Sequence, residues 1–263
     1  MSNASTIEWT EATWNPTTGC DRVSPGCTNC YALTLAKRLK AMGSAKYQID
    51  GDPRTSGPGF AVQVHPAALQ LPRTWRTGRR VFVNSMSDLF HAHVPVPFIQ
   101  DVFTVMRETP QHIYQILTKR SLRLARLADQ IDWPANVWMG VSVETSTQLD
   151  RIEHLRSVPA RVRFLSAEPL LGPLPGLDLT GLHWVITGGE SGPHARPVEA
   201  DWVRAIRDTC QDQHVAFFHK QWGGRTPKTA GRELDGRTWD QYPIPDQQAA
   251  APLTEPAHAE AGR

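Results

Sequence analysis

Short hydrophobic runs recur along this chain, and each of them ends in polar residues. β-Branched and aromatic residues dominate the runs, which follow one another at intervals of roughly 20 to 35 residues, as buried parallel strands do. With a further strand predicted at Ala12–Asn15, the pattern indicates seven strands. The six runs are VFVNSMSD (81–88), IYQILTKR (113–120), VWMGVSVE (137–144), VRFLSAEP (162–169), HWVITGGE (183–190) and VAFFHKQW (215–222).

The segments between these runs have helical periodicity. IQDVFTVMRET (99–109) and RSLRLARLADQ (120–130) each place their apolar residues on one face of a helix. Strands that alternate with helices are typical of α/β proteins with a parallel sheet. We therefore predict seven βα units in a partial or complete (βα) barrel of six to eight parallel strands, with an open doubly wound sheet as the alternative.

The domain boundaries follow from turn residues and composition. A chain of 263 residues has room for one barrel-like domain, which we assign to residues 1–243. Residues 43–58 are rich in turn formers and predict an excursion over the surface. Residues 244–263 lack aromatic residues and predict a disordered tail. Asp235-Gly236 predicts a β-hairpin.

Three of the four cysteines lie within eleven positions, in TTGCDRVSPGCTNCYA. We interpret Cys20, Cys27 and Cys30 as metal ligands, because their odd number and the polar N-terminus MSNASTIEWTE argue against a secreted disulfide framework. Three thiolates leave one position open on an iron–sulfur cluster, or require one more ligand for zinc. A helix predicted directly after Cys30 would favour negative charge at its N-terminus. Cys210 lies in a helical pattern and is interpreted as a buried hydrophobe.

Polar residues at the strand ends are the remaining candidates for chemistry. The carboxyl ends of the strands in a parallel barrel meet at one face, to which the cysteine loop also belongs. Pro169 favours an extended conformation at Glu168, and the glycines of TGGESG allow close approach of a ligand. An alternative is that these side chains cap helices or pair with one another. The candidate catalytic residues are Lys119, Glu168 and Asp88, and the candidate cofactor-binding residues are Gly188, Gly189, Glu190, Ser191 and Glu144.

Composition and charge are those of a globular protein without a membrane segment. Hydrophobic residues make up 40% of the chain and charged residues 21%, and no apolar run approaches the length of a membrane span. We expect a cytoplasmic protein that does not bind membranes. The net charge of +2 does not by itself support binding of nucleic acid. Basic residues at 73–80 and 119–126 are either solvated faces or part of a phosphate-binding groove.

Several motifs together resemble a known family. They are WNPTTGCDRVSPGCTNCYA, NSMSDLFH, ILTKR, GVSVE, FLSAEPLLGP, ITGGESGP and FFHKQWGG. From about Ile7 to Pro243 the chain resembles an uncharacterised three-cysteine-motif family of phages and bacteria, a domain of unknown function that is similar to radical S-adenosylmethionine (SAM) enzymes. The resemblance implies a radical-SAM-like partial barrel in the cytoplasm of a bacterial or phage-infected cell.

Two features differ from the pattern of radical SAM enzymes. Those enzymes hold a [4Fe–4S] cluster by a CX3CX2C loop after the first strand, whereas Cys20 and Cys27 enclose six residues here. Their GGE motif follows the second strand, whereas Glu190 of GGE lies at the end of the sixth predicted strand, in the run HWVITGGE. The loop position and the final CX2C agree with the pattern.

Three functional hypotheses follow. The first is an iron–sulfur enzyme with a [4Fe–4S] cluster on the three cysteines and SAM as cosubstrate, acting on an unknown substrate; a protein encoded nearby is a candidate partner. The second is a zinc module, with a fourth ligand from His91, His93 or Cys210, that binds nucleic acid or protein. The third is a divalent-metal hydrolase or nuclease, which would use the strand-end carboxylates of Asp88, Glu144, Glu168 and Glu190.

Overall fold

A parallel seven-stranded sheet forms the centre of the molecule. The computed structural model describes residues 5–226 and 228–244. In these ranges the strands are β1 (Ala12–Trp14), β2 (Thr17–Thr18), β3 (Gln63–Val64), β4 (Arg80–Val83), β5 (Ile113–Thr118), β6 (Val137–Ser142), β7 (Val162–Ala167), β8 (Trp184–Gly188), β9 (Ala216–Gln221), β10 (Glu233–Leu234) and β11 (Arg237–Thr238). The α-helices are α1 (Tyr31–Ala41), α2 (Val96–Glu108), α3 (Ser121–Leu127), α4 (Asp150–Arg156) and α5 (Ala200–Asp212).

The order of the strands defines an open, partial barrel. The sheet runs β1-β4-β5-β6-β7-β8-β9, and every neighbouring pair is parallel. Each strand of this sheet therefore lies beside the strand that follows it within the sheet, and the strand order never reverses. In the described ranges, no pairing between β1 and β9 closes the sheet. The prediction of seven parallel strands in a partial barrel is confirmed, and the doubly wound alternative is wrong.

The two faces of the sheet bury different side chains. Alternate residues of a strand point to opposite faces, and one face packs with the helices in the main core. The other face lines the inside of the barrel, where aromatic residues fill the half at the amino ends of the strands. Burial of each large apolar side chain contributes roughly 1.5 to 3 kcal/mol. The inner cluster consists of Trp9, Phe82, Trp138, Val162, Phe164, Trp184, Ile186 and Phe218.

The connection from β7 to β8 lacks the expected helix. Residues 168–183 contain Pro169, Pro173 and Pro175, which interrupt backbone hydrogen bonding. Leucines of this loop cover the outer face of the sheet instead, so the main core stays closed. The prediction that seven βα units each carry a helix is therefore wrong for this unit. The buried leucines are Leu170, Leu174, Leu177, Leu179 and Leu182.

Shorter predictions have different outcomes. The hairpin at Asp235-Gly236 is confirmed, since both residues have positive φ between the antiparallel strands β10 and β11. Within the excursion at residues 43–58, Thr55 hydrogen bonds to Asp21 of the cysteine loop. The predicted disordered tail lies, after residue 244, outside the described residues. Within residues 5–226 and 228–244, no helix has the length and hydrophobicity that crossing a bilayer requires.

Candidate metal centre

The cysteine loop leaves β2 at the end of the barrel where the strands have their carboxyl termini. Gly19 makes this exit with φ of +83°, and a Cβ there would lie 2.0 Å from the carbonyl oxygen of Ala61. Glycine is thus required for both the turn and the close approach. Cys27 ends a 3₁₀ turn that begins at Pro25, and Cys30 is the N-cap of α1. The three thiols therefore lie on one short loop over the barrel mouth.

Burial raises the pKa of two of these thiols. Burial and the charge of Asp88 raise the pKa of Cys20 to about 12, although Arg120 lowers it. Burial also raises the pKa of Cys30. A metal would have to displace these protons, because the thiolate is the ligand. Both thiols pack against a small apolar cluster formed by Ala32, Ala36, Tyr47, Phe60 and Met86.

Two cations from the end of β5 lie beside the thiols. The Nη2 of Arg120 lies 4.0 Å from Cys20 Sγ and donates a hydrogen bond to the carbonyl oxygen of Asp21. Burial lowers the pKa of Lys119, but Glu144, Cys27 and Cys30 raise it more, so that its pKa lies above the usual range. Lys119 thus remains charged. The site therefore has three thiols as candidate ligands and two cations beside them. This arrangement suits a negatively charged metal–sulfide group.

Glu144 anchors the cysteine loop to the end of β6. Its side chain is fully buried, and Oε1 accepts a hydrogen bond of 2.7 Å from the Ser24 hydroxyl. Oε2 accepts one of 3.0 Å from Arg151 Nη1, and Lys119 Nζ lies 3.6 Å from Oε1. A Cβ at Gly26 would lie 2.5 Å from Glu144. Both carboxylate oxygens are therefore engaged within the protein, and Glu144 supports the loop.

Glu190 forms a second anchor, at the end of β8. Its Oε2 accepts hydrogen bonds from Asn29 Nδ2 at 2.9 Å and from the backbone and Nε of Arg196, both at 3.0 Å. Its Oε1 accepts one of 2.6 Å from Arg196 Nη2, which also donates to the carbonyl oxygen of Pro25. Burial raises the pKa of Glu190, but the hydrogen bonds from Arg196 and Asn29 outweigh it and lower the pKa overall. The ionised carboxylate thus binds the cysteine loop.

The GGES segment packs against the chain itself. A Cβ at Gly189 would lie 1.9 Å from the carbonyl oxygen of Trp222, and one at Gly223 would lie 2.2 Å from that of Glu190. Ser191 Oγ accepts a hydrogen bond of 2.7 Å from Gln221 Nε2. Ligand binding at Gly188 and Gly189 stays a prediction, and Gly189 has a further structural reason to be glycine. Its missing side chain lets two loops approach each other.

Gly188 faces the barrel interior, next to Glu168. A Cβ at Gly188 would lie 3.2 Å from Glu168 Cγ, so glycine leaves space for this carboxylate. Glu168 forms an ion pair with Lys220 of β9 through Oε1. Their side chains are 19% and 16% exposed, respectively, so the pair is accessible from the barrel mouth. The peptide bond between Glu168 and Pro169 is cis. This pair places a carboxylate and an ammonium group side by side near the barrel mouth.

Two serine hydroxyls lie buried on the inner face without partners. Ser142 and Ser166 stand opposite each other on β6 and β7, each 1% exposed. Ser142 has the same inward direction as Trp138, four residues earlier in the alternating pattern, and Ser166 has that of Phe164, two residues earlier. Neither Oγ has a hydrogen-bond partner among the described residues. Because buried polar groups are usually hydrogen-bonded, orphaned hydroxyls indicate a place where a polar ligand is expected.

Asp88 supports the end of β5. Its carboxylate accepts hydrogen bonds from the Thr118 hydroxyl, at 2.7 and 2.9 Å, and from the backbone amides of Lys119 and Phe90. Asp88 is 6% exposed. The candidate catalytic residue Asp88 therefore orders the segment that carries Lys119, and the geometry gives it a supporting role.

Two of the proposed fourth ligands of a zinc ion, His91 and Cys210, have other surroundings in the structure. His91 uses both ring nitrogens, one toward Asp21 Oδ2 at 2.9 Å and the other toward the backbone amide of His93. Cys210 is fully buried in the main core on α5, as predicted. Among the described residues, no group of three or more His, Cys, Asp and Glu side chains is arranged to hold one metal ion.

Sequence reasoning missed the cations that neutralise the buried carboxylates. Arg151 follows Glu144 by seven residues, in the first turn of α4, and Arg196 follows Glu190 by six. Each arginine lies just beyond the strand end that carries its partner, which is the signal that could have identified them. Lys220 lies in the run VAFFHKQW (215–222), and the sequence does not reveal its pairing with Glu168 across β8.

The sequence places the chain in a known family. Residues 4–243 match the family described as "Protein of unknown function (DUF5131)", and the chain belongs to this family. No curated protein sequence matches it.

Several solved structures have a distant likeness to the fold. A cysteine-to-serine variant of spore photoproduct lyase matches with a TM-score of 0.46, 12% identity and 80% of this chain covered. A form of the lyase with bound AdoMet and dinucleoside spore photoproduct matches with a TM-score of 0.43, 14% identity and 78% covered. The chain spans 63% of the length of these lyase structures. A likeness at this level is too distant to support an argument about function.

Proposed function

We propose that this protein is an iron–sulfur enzyme of the radical SAM type. Cys20, Cys27 and Cys30 would hold a [4Fe–4S] cluster at the barrel mouth, and SAM would bind below it. The observation that carries the proposal is the loop itself, in which three half-buried thiols lie beside the cations Lys119 and Arg120 over an open parallel barrel.

A cluster and a single metal ion place different demands on the three thiols. Each cysteine of a [4Fe–4S] cluster binds a different iron, so the sulfurs do not have to converge on one point. A zinc ion with tetrahedral coordination needs all of its ligands about 2.0 to 2.3 Å from one centre. The described residues contain no such convergence. Three cysteines would leave the fourth iron of a cluster without a protein ligand, which is where SAM binds in radical SAM enzymes.

The barrel interior has the polar groups that a zwitterionic cosubstrate and a polar substrate require. When bound, a reduced [4Fe–4S] cluster supplies the electron that cleaves SAM to methionine and a 5′-deoxyadenosyl radical. The chain contributes Glu168 and Lys220 as a carboxylate and an ammonium group, and Ser142 and Ser166 as two unpartnered hydroxyls. The aromatic cluster beneath them closes the amino end of the barrel and excludes water from it.

The metal content tests the proposal directly. Anaerobically purified or reconstituted protein is expected to be brown and to contain about four irons per chain. Replacement of Cys20, Cys27 or Cys30 by serine should abolish the colour. Cys210→Ser should leave it unchanged, because Cys210 lies in the hydrophobic core. Colourless protein with stoichiometric zinc after iron reconstitution would contradict the proposal.

SAM binding tests the role of the interior. Reduced protein should cleave SAM slowly to 5′-deoxyadenosine, and SAM should alter the electron paramagnetic resonance spectrum of the reduced cluster. Ser166→Ala and Glu168→Gln should weaken SAM binding while the colour and the iron content are retained. Brown protein without any spectral response to SAM would leave an iron–sulfur protein but would eliminate the SAM-dependent reaction.

A further inference from the structure

A basic groove lies beside the cysteine loop. Its volume is about 390 Å³, and it lies between the N-terminal parts of α3 and α4 and Val23 of the cysteine loop. Five cationic side chains line it, and Asp150 is the acidic residue of the lining. A local excess of positive charge therefore exists on a protein whose net charge is only +2. The five cations are Lys119, Arg120, Arg123, Arg126 and Arg151.

Within residues 5–226 and 228–244, no carboxylate forms an ion pair with three of these arginines. Arg120 donates to the carbonyl oxygen of Asp21, and Arg123 donates to the carbonyl oxygens of His91 and Val94. Carbonyl oxygens orient a guanidinium group without cancelling its charge. Arg126 has no ion pair among the described residues. Lys119 and Arg151 share the buried Glu144, so the groove stays positive after this carboxylate is counted.

The spacing of the arginines fits a chain of phosphates. Arg120, Arg123 and Arg126 are three residues apart, which puts them on one side of α3 and its N-cap. At about 1.5 Å of rise per residue the row is roughly 9 Å long, longer than a single phosphate group. The Nε of Arg120 is buried and has no acceptor in the part of the chain that the structure describes. Guanidinium groups bind phosphate oxygens in bidentate geometry, which makes arginine the preferred residue for such a row.

Apolar side chains in the wall of the groove indicate which class of polyanion it binds. Val23 and Leu122 also line it and are 45% and 49% exposed, so apolar surface lies next to the cations. A nucleotide offers both a phosphate and a flat ring for such a surface. Pockets of 300 to 1,000 Å³ accommodate small ligands, so a groove of this volume has room for a short part of a single strand.

We propose that this groove binds the backbone of a single-stranded nucleic acid and leads it to the cysteine loop. The proposal rests on the proposed function where it names the substrate class, because Lys119 and Arg120 line the groove and also lie beside the thiols. The binding itself needs no cluster. A strand held by Arg123 and Arg126 would continue past Val23 toward the barrel mouth.

Fluorescence anisotropy of a labelled single-stranded oligonucleotide, with the full chain at several salt concentrations, tests this proposal. The logarithm of the affinity should fall linearly with the logarithm of salt. Arg126→Gln should weaken binding and reduce the slope by about 0.7, the change expected for one lost phosphate contact. Arg107→Gln is the matched control, since Arg107 lines a different groove, with Asn136 and Arg161, at the amino ends of β5 and β6. It should bind as the unchanged protein does.

Several outcomes would overturn the groove proposal. They are absence of oligonucleotide binding at low salt, equal losses in Arg126→Gln and Arg107→Gln, tighter binding of the duplex, and equal competition by inorganic polyphosphate or a phosphopeptide. Colourless Cys27→Ser should still bind the oligonucleotide. If the unchanged protein is brown but does not bind the oligonucleotide, only the groove proposal is overturned. If the unchanged protein stays colourless after iron reconstitution and still binds the oligonucleotide, only the iron–sulfur function is contradicted.

Discussion

Replacement of Glu144 by glutamine tests how the cysteine loop is held. The carboxylate is fully buried between Arg151, which is 9% exposed, and Lys119, which is 21% exposed. Glutamine preserves the shape and one acceptor oxygen, but it removes the negative charge. Two largely buried cations then lack their counterion. The perturbation is therefore electrostatic and leaves packing almost unchanged.

The magnitude follows from the burial of the three groups. Removal of one partner from a buried ion pair costs roughly 3 to 5 kcal/mol. Lys119 retains some contact with water and lies 3.6 Å from Glu144 Oε1, which favours the lower end. We expect a loss of about 3 kcal/mol in the free energy of unfolding, equivalent to a decrease in Tm of about 6 to 12 °C for a domain of this size.

Urea unfolding of the metal-free protein, followed by the fluorescence of its nine tryptophans, measures this loss. Glu153→Gln is the matched control, because Glu153 pairs with Arg156 on α4 and its side chain is 66% exposed. Such a surface pair contributes about 0 to 1 kcal/mol. If the midpoint of Glu144→Gln shifts no further than that of Glu153→Gln, Glu144 does not neutralise buried cations and the account of the loop is wrong.

Three further predictions concern the same framework. Gly26→Ala should destabilise the protein by about 1 to 3 kcal/mol, because its Cβ would displace Glu144, whereas Gly172→Ala, whose Cβ meets nothing within 4 Å, should change the urea midpoint little. Glu190→Gln should lower the free energy of unfolding by about 1 to 2 kcal/mol, which is less than for Glu144→Gln because Arg196 is 35% exposed. It should also accelerate chemical labelling of the thiols in the cysteine loop. Unchanged labelling would contradict the role of Glu190 as an anchor of this loop. Burial and Arg232 lower the pKa of His219 to about 4 in the folded protein. Below pH 6.5 the unfolded chain therefore binds a proton at His219 more readily than the folded protein does. The free energy of unfolding should fall by about 2 to 3 kcal/mol between pH 7 and pH 4.5. His219→Phe should remove this part of the pH dependence of urea unfolding, and an unchanged dependence would show that His219 is not buried in its neutral form.

The sequence alone determined the strands, the hairpin and the cysteine cluster. These features depend on local properties: hydrophobic periodicity, turn residues such as Asp235-Gly236, and spacing within a short loop. Cys210 was correctly assigned to the core because helical spacing alone indicates a buried face. The helix missing after β7 follows from prolines that the strand pattern did not take into account.

Only the tertiary structure decided what the strand-end residues do. Ser24 and Glu144 are 120 residues apart, and Asn29 and Glu190 are 161 apart, so no local pattern reveals these contacts. Glutamates at strand ends have the same appearance in a sequence whether they face a ligand or neutralise an arginine. Which of them is engaged depends on the register of neighbouring strands and on the loops packed above them. For the same reason the unpartnered Ser142 and Ser166 became visible only when β6 and β7 were paired.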